Sequence, residues 1–340
     1  MPLALLLTFV YPPLRVADWL ISDFSPPVWL WLAAWVAMIW AMRHAFRGEN
    51  NWFRVIFVQW LGIGFVLLSV LLVAELVLWL TTWPERMVAI AAMVSAAFIC
   101  GVGILLSLGV RVKRITLTSA KLETPVRLVQ ISDVHIGSRS AAFLQLVVEK
   151  INALRADVVV ITGDLVDSSN VDRQMLSALA ALKARCYFSI GNHDRWVNLE
   201  KLLHDLGELD VQVLRNSSVD FGEMVLIGID DADDEAQVSN VLPAIDFDKG
   251  RFSVLLYHRP LGWEAALEQQ VDLKLSGHTH NGQIFPFNLL VKRMFNRIQG
   301  LYESDGRWLY VSPGTGTWGP TMRIGSLNEI TCFDLCPQSK

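Results

Sequence analysis

The sequence predicts an α/β domain preceded by an α-helical transmembrane module, and three observations carry that prediction. Apolar side chains crowd the first 110 residues in runs long enough to span a bilayer. From residue 125 onward, short β-branched strands alternate with amphipathic helical stretches. Clusters of Asp, Asn and His then follow one strand after another, in the loops where α/β sheets assemble their sites.

Of the 340 residues, 53% are hydrophobic. Residues 1–110 carry five basic and five acidic side chains and nine of the thirteen tryptophans, so the net charge of −4 belongs wholly to residues 111–340. No basic excess marks nucleic acid as a partner. Cys100, Cys186, Cys332 and Cys336 form no disulfide framework or CxxC pair, in keeping with a reducing compartment. The expected division is a membrane module over 1–110 and a soluble domain over 111–340.

Taken in order, Leu3 to Tyr11 are apolar, but Pro12, Pro13, Arg15 and Asp18 interrupt the stretch. There is no basic leader and no A-x-A cleavage site, so residues 1–22 read as a fourth, irregular span rather than a signal peptide. Residues 27–46, 55–80 and 87–110 are the three regular spans. Within 55–80 only Gln59 and Glu75 are polar enough to stand out; Glu75 reads either as a relay or as a residue reaching the interface. Arg43, Arg47 and Arg54 follow the first regular span, and Arg111, Lys113 and Arg114 follow the last, against Arg86 alone in the loop between the last two. The positive-inside rule puts the first connection and everything after 110 in the cytoplasm, under the inner membrane.

In the soluble domain, 112–118 and 126–131 read as strands, and 141–154 as a helix with Phe143, Leu146, Val147, Ile151 and Leu154 on one face. Strands follow at 157–162, 186–190, 223–229, 252–257 and 271–276, with a further helix at 171–184.

Five motifs sit past these strands: Asp133 with His135; Gly163-Asp164 with Asp167; Gly191-Asn192-His193-Asp194; His258; and Gly277-His278-Thr279-His280. They hold five of the seven histidines, leaving His44 and His204 as structural residues. Mixed nitrogen and oxygen donors without thiolates suit two divalent metal ions held for catalysis, Mn, Fe, Zn or Mg, with Mn favoured. Asp133 and His135, two apart in extended backbone, would project to one face, and so would His278 and His280. A carboxylate such as Asp164 can bridge two cations, and Gly163, Gly191 and Gly277 fit tight turns beside the site. Two metals about 3.5–4 Å apart would hold a hydroxide between them and neutralise phosphate oxygens. His193 is the candidate donor to the leaving oxygen, with Asp194 as its orienting acid. Asp167 is expected to support the ligands through hydrogen bonds.

The ordered set D-x-H, GD-x-x-D, GNH followed by D or E, a lone His and GH-x-H resembles the calcineurin-like metallophosphoesterases. The stretches ISDVHIG at 131–137, GHTHNGQI at 277–284 and VSPGTGTWG at 311–319 are similar to their membrane-anchored, YkuE-like branch. The resemblance covers most of 112–340 and implies a four-layer αββα sandwich. It also implies one metal held by Asp133, His135, Asp164 and His280, and a second by Asp164, Asn192, His258 and His278. Asn281 departs from the glycine that many relatives place after GHTH, without loss of a ligand. Ser168 and Ser169 stand where protein phosphatases continue GD-x-VDRG, which argues against a phosphoprotein substrate.

The short linker after the last span keeps the site near the membrane. Residues 285–297 combine Phe285, Phe287, Leu289, Leu290, Met294 and Phe295 with Lys292, Arg293 and Arg297. They read either as a core helix with a solvated basic face or as an interfacial segment guiding a lipid-linked phosphate. The most specific substrate in keeping with this placement is UDP-2,3-diacylglucosamine, whose pyrophosphate some membrane-anchored members of the superfamily split. The soluble hydrolase of that step typically has GNRD where this chain has GNHD. The alternative is a non-catalytic membrane scaffold with a structural metal centre.

Overall fold

The computed structural model describes residues 6–21, 27–47 and 51–338. Residues 1–5 and 22 of the expected irregular span lie outside the described residues, as do the side chains of His44 and Arg47. The chain divides into two compact units, Met1–Leu106 with Gly319–Ile324 and Ser107–Trp318 with Gly325–Lys340.

In the first unit a π-helical turn, Leu6–Val10, runs into the helix Tyr11–Leu20. Pro12 and Pro13 fall in its first turn, where a missing N–H loses no intrahelical bond, so they start this helix rather than interrupt it. The helices Val28–Arg47, Asn51–Leu80 and Glu85–Leu108 follow. Phe53–Leu80 and Glu85–Leu108, with mean hydropathy of 2.6 and 2.5, are long and apolar enough to cross a membrane, while Val28–Arg43 is apolar but shorter. Glu75 accepts from Arg15 Nε at 2.7 Å and Tyr11 OH at 2.9 Å, so it is held by a neighbouring helix instead of reaching out alone. Gln59 is likewise paired, with the hydroxyl and backbone N–H of Thr321.

The second unit contains β1 (Arg111–Ser119), β2 (Val126–Ile131), β3 (Val158–Thr162), β4 (Arg185–Ser189), β5 (Val211–Val213), β6 (Ser217–Phe221), β7 (Met224–Gly228), β8 (Phe252–Leu256), β9 (Leu273–Ser276), β10 (Gly300–Ser304), β11 (Arg307–Val311) and β12 (Glu329–Pro337). They form two six-stranded sheets, ordered β1-β12-β2-β3-β4-β5 and β10-β11-β9-β8-β7-β6. Strands β2 to β5 are parallel, as are β7, β8, β9 and β11; β6 and β10 are antiparallel edges.

Alternation along the strands builds three apolar layers. Leu128, Val158, Val160 and Tyr187 of the first sheet meet Leu226, Val254, Leu256 and Leu275 of the second. Their neighbours Val129, Val159, Ile161 and Phe188 point the other way, onto Phe143, Val147 and Ile151 of the helix Ala141–Leu154 and Leu202 and Leu206 of the helix Leu199–Gly207. On the far side Val225, Ile227 and Leu255 cover Val238, Leu242, Trp263 and Ala266. Helix, sheet, sheet and helix give an α/β sandwich.

The expected helix at 171–184 is shorter and broken. Asp172 caps a single turn, Arg173–Leu176, which tightens into a 3₁₀ turn over Ser177–Ala181. Leu176 and Leu179, the residues it buries, are three apart, a spacing that 3₁₀ geometry satisfies directly.

Candidate metal centre

Every nominated residue follows the carboxyl end of a parallel strand. Asp133 and His135 follow β2, Asp164 follows β3, Asn192 and His193 follow β4, His258 follows β8, and His278 and His280 follow β9. Two bonds tie the two sheets together at this end. Gln130 of β2 donates to the Ser276 carbonyl of β9 at 3.1 Å, and His258 Nδ1 lies 2.8 Å from the Thr162 carbonyl of β3.

The second bond also sets a tautomer. A carbonyl oxygen only accepts, so Nδ1 of His258 carries the proton and Nε2 is left with its lone pair. That Nε2 faces Asp164 Oδ2 at 3.1 Å. The same carboxylate oxygen lies 3.9 Å from His135 Nε2 and 4.0 Å from His193 Nε2. Its partner Oδ1 accepts from the His193 backbone N–H at 2.8 Å. Asp133 accepts from the His278 backbone N–H and the Ser132 hydroxyl, and its Oδ1 is 3.3 Å from His280 Nε2.

The donor atoms group as Asp133, His135 and His280, and as Asp164, His258 and His278, with Asp164 also grouping with His135 and His193; within each group they lie within 4.8 Å of one another. Ring nitrogens point at ring nitrogens: His135 and His280 approach to 3.1 Å and His278 and His258 to 3.2 Å. Asn192 Oδ1 is buried with no hydrogen-bond donor. Converging lone pairs and an orphaned carbonyl oxygen are what cations would satisfy. The two clusters form a binuclear divalent-metal site. Burial pushes Asp133 and Asp164 up, yet His280 and His258 respectively hold them well below the ordinary carboxylate range. Burial likewise pushes His258 down, and Asp164 outweighs it, raising the imidazole to about 10; the second proton this implies sits on Nε2 facing Asp164, and a cation bound there would displace it.

The backbone reaches this arrangement differently from the sequence expectation. Asp133 and His135 are not extended; they have φ of 54° and 56°, and Asp164, His278 and His280 have 54°, 71° and 49°. Five of the seven nominated ligands therefore sit in the left-handed region, a strained placement that clusters at functional sites. Of the three flanking glycines only Gly163, at φ +83°, needs glycine for its turn. Gly191 and Gly277 are required for space: a Cβ would overlap Asp164 in the first case and Ser132 and Asp133 in the second.

Asp194 also departs from its expected role. Its carboxylate does not orient His193; it accepts four backbone N–H groups, from Asp164 at 2.7 Å, Gly191 at 2.9 Å, Leu165 at 3.0 Å and Val166 at 3.1 Å. It fastens the loop carrying Asp164 to the loop carrying Asn192. Asp194→Ala strands those donors in the interior and is expected to destabilise the fold by at least about 3 kcal/mol. Thermal unfolding of the purified chain measures this; an unchanged midpoint would contradict it. Asp167 accepts from Ser138 and stands 3.6 Å from His135 Nδ1, a supporting position rather than a hydrogen bond.

His193 is 8% exposed. Its ring lies against Trp196, centroids 4.2 Å apart, and Trp318, 5.5 Å apart. Both tryptophans are largely exposed and form the rim of the site. The sequence reading did not single them out, although Trp196 lies three residues past His193. It also passed over Asp231, which accepts from Arg195 at 3.0 Å and Arg259 at 2.7 Å and so braces the loops after β4 and β8. His204 is exposed on its helix, away from these groups. The helix Phe287–Met294 is not a core helix, since Val291 is its one buried residue.

Residues 126–282 match the family model for calcineurin-like phosphoesterases. A metallophosphoesterase of Helicobacter pylori (strain J99) is 34% identical over 242 residues, 68% of this chain and 65% of that protein. One from Aquifex aeolicus is 32% identical over 240 residues, 65% of this chain and 89% of that protein. A transmembrane protein with metallophosphoesterase domain from Danio rerio is 38% identical over 233 residues, 61% of this chain and 52% of that protein. The match thus spans about 65% of the length of the Helicobacter relative.

Proposed function

The chain belongs to the calcineurin-like metallophosphoesterase family, and from that premise we propose that it hydrolyses a phosphodiester, pyrophosphate or phosphomonoester at a membrane surface. The observation that carries this reading is the convergence on Asp164 of His135, His193 and His258, beside the unpartnered Asn192 oxygen. Asp133, His135, Asp164 and His280 would hold one divalent ion, and Asp164, Asn192, His258 and His278 the other, with Mn favoured. Bound there, two such ions supply charge neutralisation for phosphate oxygens and a lowered pKa for water.

The chain's own groups prepare the site. The Thr162 carbonyl keeps the His258 proton on Nδ1, so Nε2 stays free. Asp194 holds the Asp164 loop still. His193, lowered to about 4 mainly by burial, is a neutral imidazole with one N–H to offer the leaving oxygen. Nearby cations lower it further, so its neutrality does not depend on their number.

The finer reading is a membrane-anchored enzyme of the YkuE-like branch, with residues 1–110 as anchor and 111–340 as the catalytic domain under the inner membrane. Two helices long enough to span support the anchor, and the arginine and lysine bias supports a cytoplasmic site. A lipid-linked phosphate then becomes the substrate class, with UDP-2,3-diacylglucosamine in lipid A synthesis as its most specific form. Lipid intermediates that accumulate on depletion of the protein, read by mass spectrometry, test that form directly.

The general reading has a simpler test. Chelated full-length chain is reconstituted with Mn²⁺, its metal content measured, and bis(p-nitrophenyl) phosphate offered. Two ions per chain with metal-dependent hydrolysis are expected. Two ions without hydrolysis of this or any phosphomonoester would make the centre a structural part of a scaffold.

A further inference from the structure

The segment between His280 and Ile298 is an excursion from the metal loop whose two ends close back on it. Thr279 Oγ1 donates to the Ile298 carbonyl at 2.6 Å, and the Phe295 ring packs edge-on against His278 with centroids 5.3 Å apart. At its start, a Cβ on Gly282 would overlap the Asn288 backbone, so the turn is closed tightly on the helix Phe287–Met294. Phe287, Leu290 and Met294, spaced three and four apart, form one stripe on that helix and are 44%, 52% and 68% exposed. Phe285, just ahead of the helix, and Leu289, on another of its faces, are exposed as well. Lys292 and Arg293 are exposed beside it, whereas Arg297 is turned to Glu264 at 3.2 Å. Residues 281–298 contain no Asp or Glu.

Resting on the phosphoesterase reading, we propose that this helix docks into an anionic lipid leaflet, apolar stripe among the acyl chains and Lys292 and Arg293 on the headgroups. An exposed apolar face bordered by basic residues, with no acid to oppose a negative surface, is the chemistry of an interfacial helix. The bilayer is the occupant because the same chain carries two helices long enough to span one. Only Gly109 and Val110 separate the second of them from β1, about 10 Å of extended chain. Through Thr279 and Phe295, the docked helix holds the His278–His280 loop at the lipid surface, where a lipid-linked phosphate would arrive.

The test uses the full chain in vesicles with the catalytic domain outward. Cys336 is replaced by serine, the other three cysteines being buried, and a nitroxide is placed through Leu290→Cys or Met294→Cys. In phosphatidylglycerol vesicles the label should become accessible to oxygen and protected from a nickel chelate, and Lys292→Glu with Arg293→Glu should reverse this. A label that stays nickel-accessible overturns the proposal and leaves a protein partner for the stripe. In the activity arm, Leu290→Asp with Met294→Asp should lose about tenfold or more on a bilayer-embedded phosphate ester and less than about twofold on bis(p-nitrophenyl) phosphate. Equal loss on both esters overturns the proposal, making the helix a prop for the metal loop. A docked label in a wild type that hydrolyses neither ester upholds the docking and sinks the phosphoesterase reading instead.

Discussion

Asp164→Asn should lower hydrolysis on the order of 10³-fold while leaving the fold intact. Asp164 belongs to the cluster with His258 and His278 and also groups with His135 of the other cluster, so the substitution removes a negative charge that stands between the two proposed ions. The amide can still accept the His193 backbone N–H through its remaining carbonyl oxygen, as Oδ1 does at 2.8 Å, and the Asp164 N–H bond to Asp194 is untouched. Near-native circular dichroism, metal content falling from two ions to one or none, and lost hydrolysis should therefore appear together. Activity within tenfold of wild type at full metal content would show that the two clusters work independently, and the shared-carboxylate geometry would carry no mechanism.

Much of this centre was legible because metal ligands have few substitutes. Asp, Asn and His past successive strands point to one chemistry whatever the intervening residues are. What the spacing could not show was backbone conformation. Residues two apart project together only from extended chain, and Asp133 and His135 at φ of 54° and 56° are not extended; the site is built from left-handed turns that the strand pattern does not announce. Adjacency misled in the same way at Asp194, because a carboxylate beside His193 in sequence points into the loop behind it. The Asp305-Gly306 pair, with φ of 51° and 70°, closes the β10–β11 hairpin. It is a strong short-range turn signal that the reading of longer strand runs passed over. Periodicity separates apolar from polar faces but not a core face from an exposed one, so the spacing within Phe287–Met294 does not reveal that its apolar stripe lies outside the core.

His193→Ala should retain both metals and lose about 10²–10⁴-fold in kcat on an alkyl phosphate ester, with a far smaller loss on a p-nitrophenyl ester. The difference follows from what the imidazole supplies. An alkoxide leaves only if a donor meets the developing charge, whereas p-nitrophenolate leaves without a proton. His193 is placed to be that donor: its ring is lodged between Trp196 and Trp318 at the rim, and its backbone is pinned to Asp164. Its Nε2 also stands 4.0 Å from Asp164 Oδ2, in a group with His135 that could itself hold a cation. A ligand role and a donor role thus predict different results from one variant. If His193 served as a ligand, its removal would lower metal content and damage both esters alike. Loss confined to the alkyl ester at unchanged metal content assigns it to the leaving oxygen, where the neutral imidazole would hydrogen-bond the developing alkoxide through its N–H while water supplies the proton that completes the alcohol.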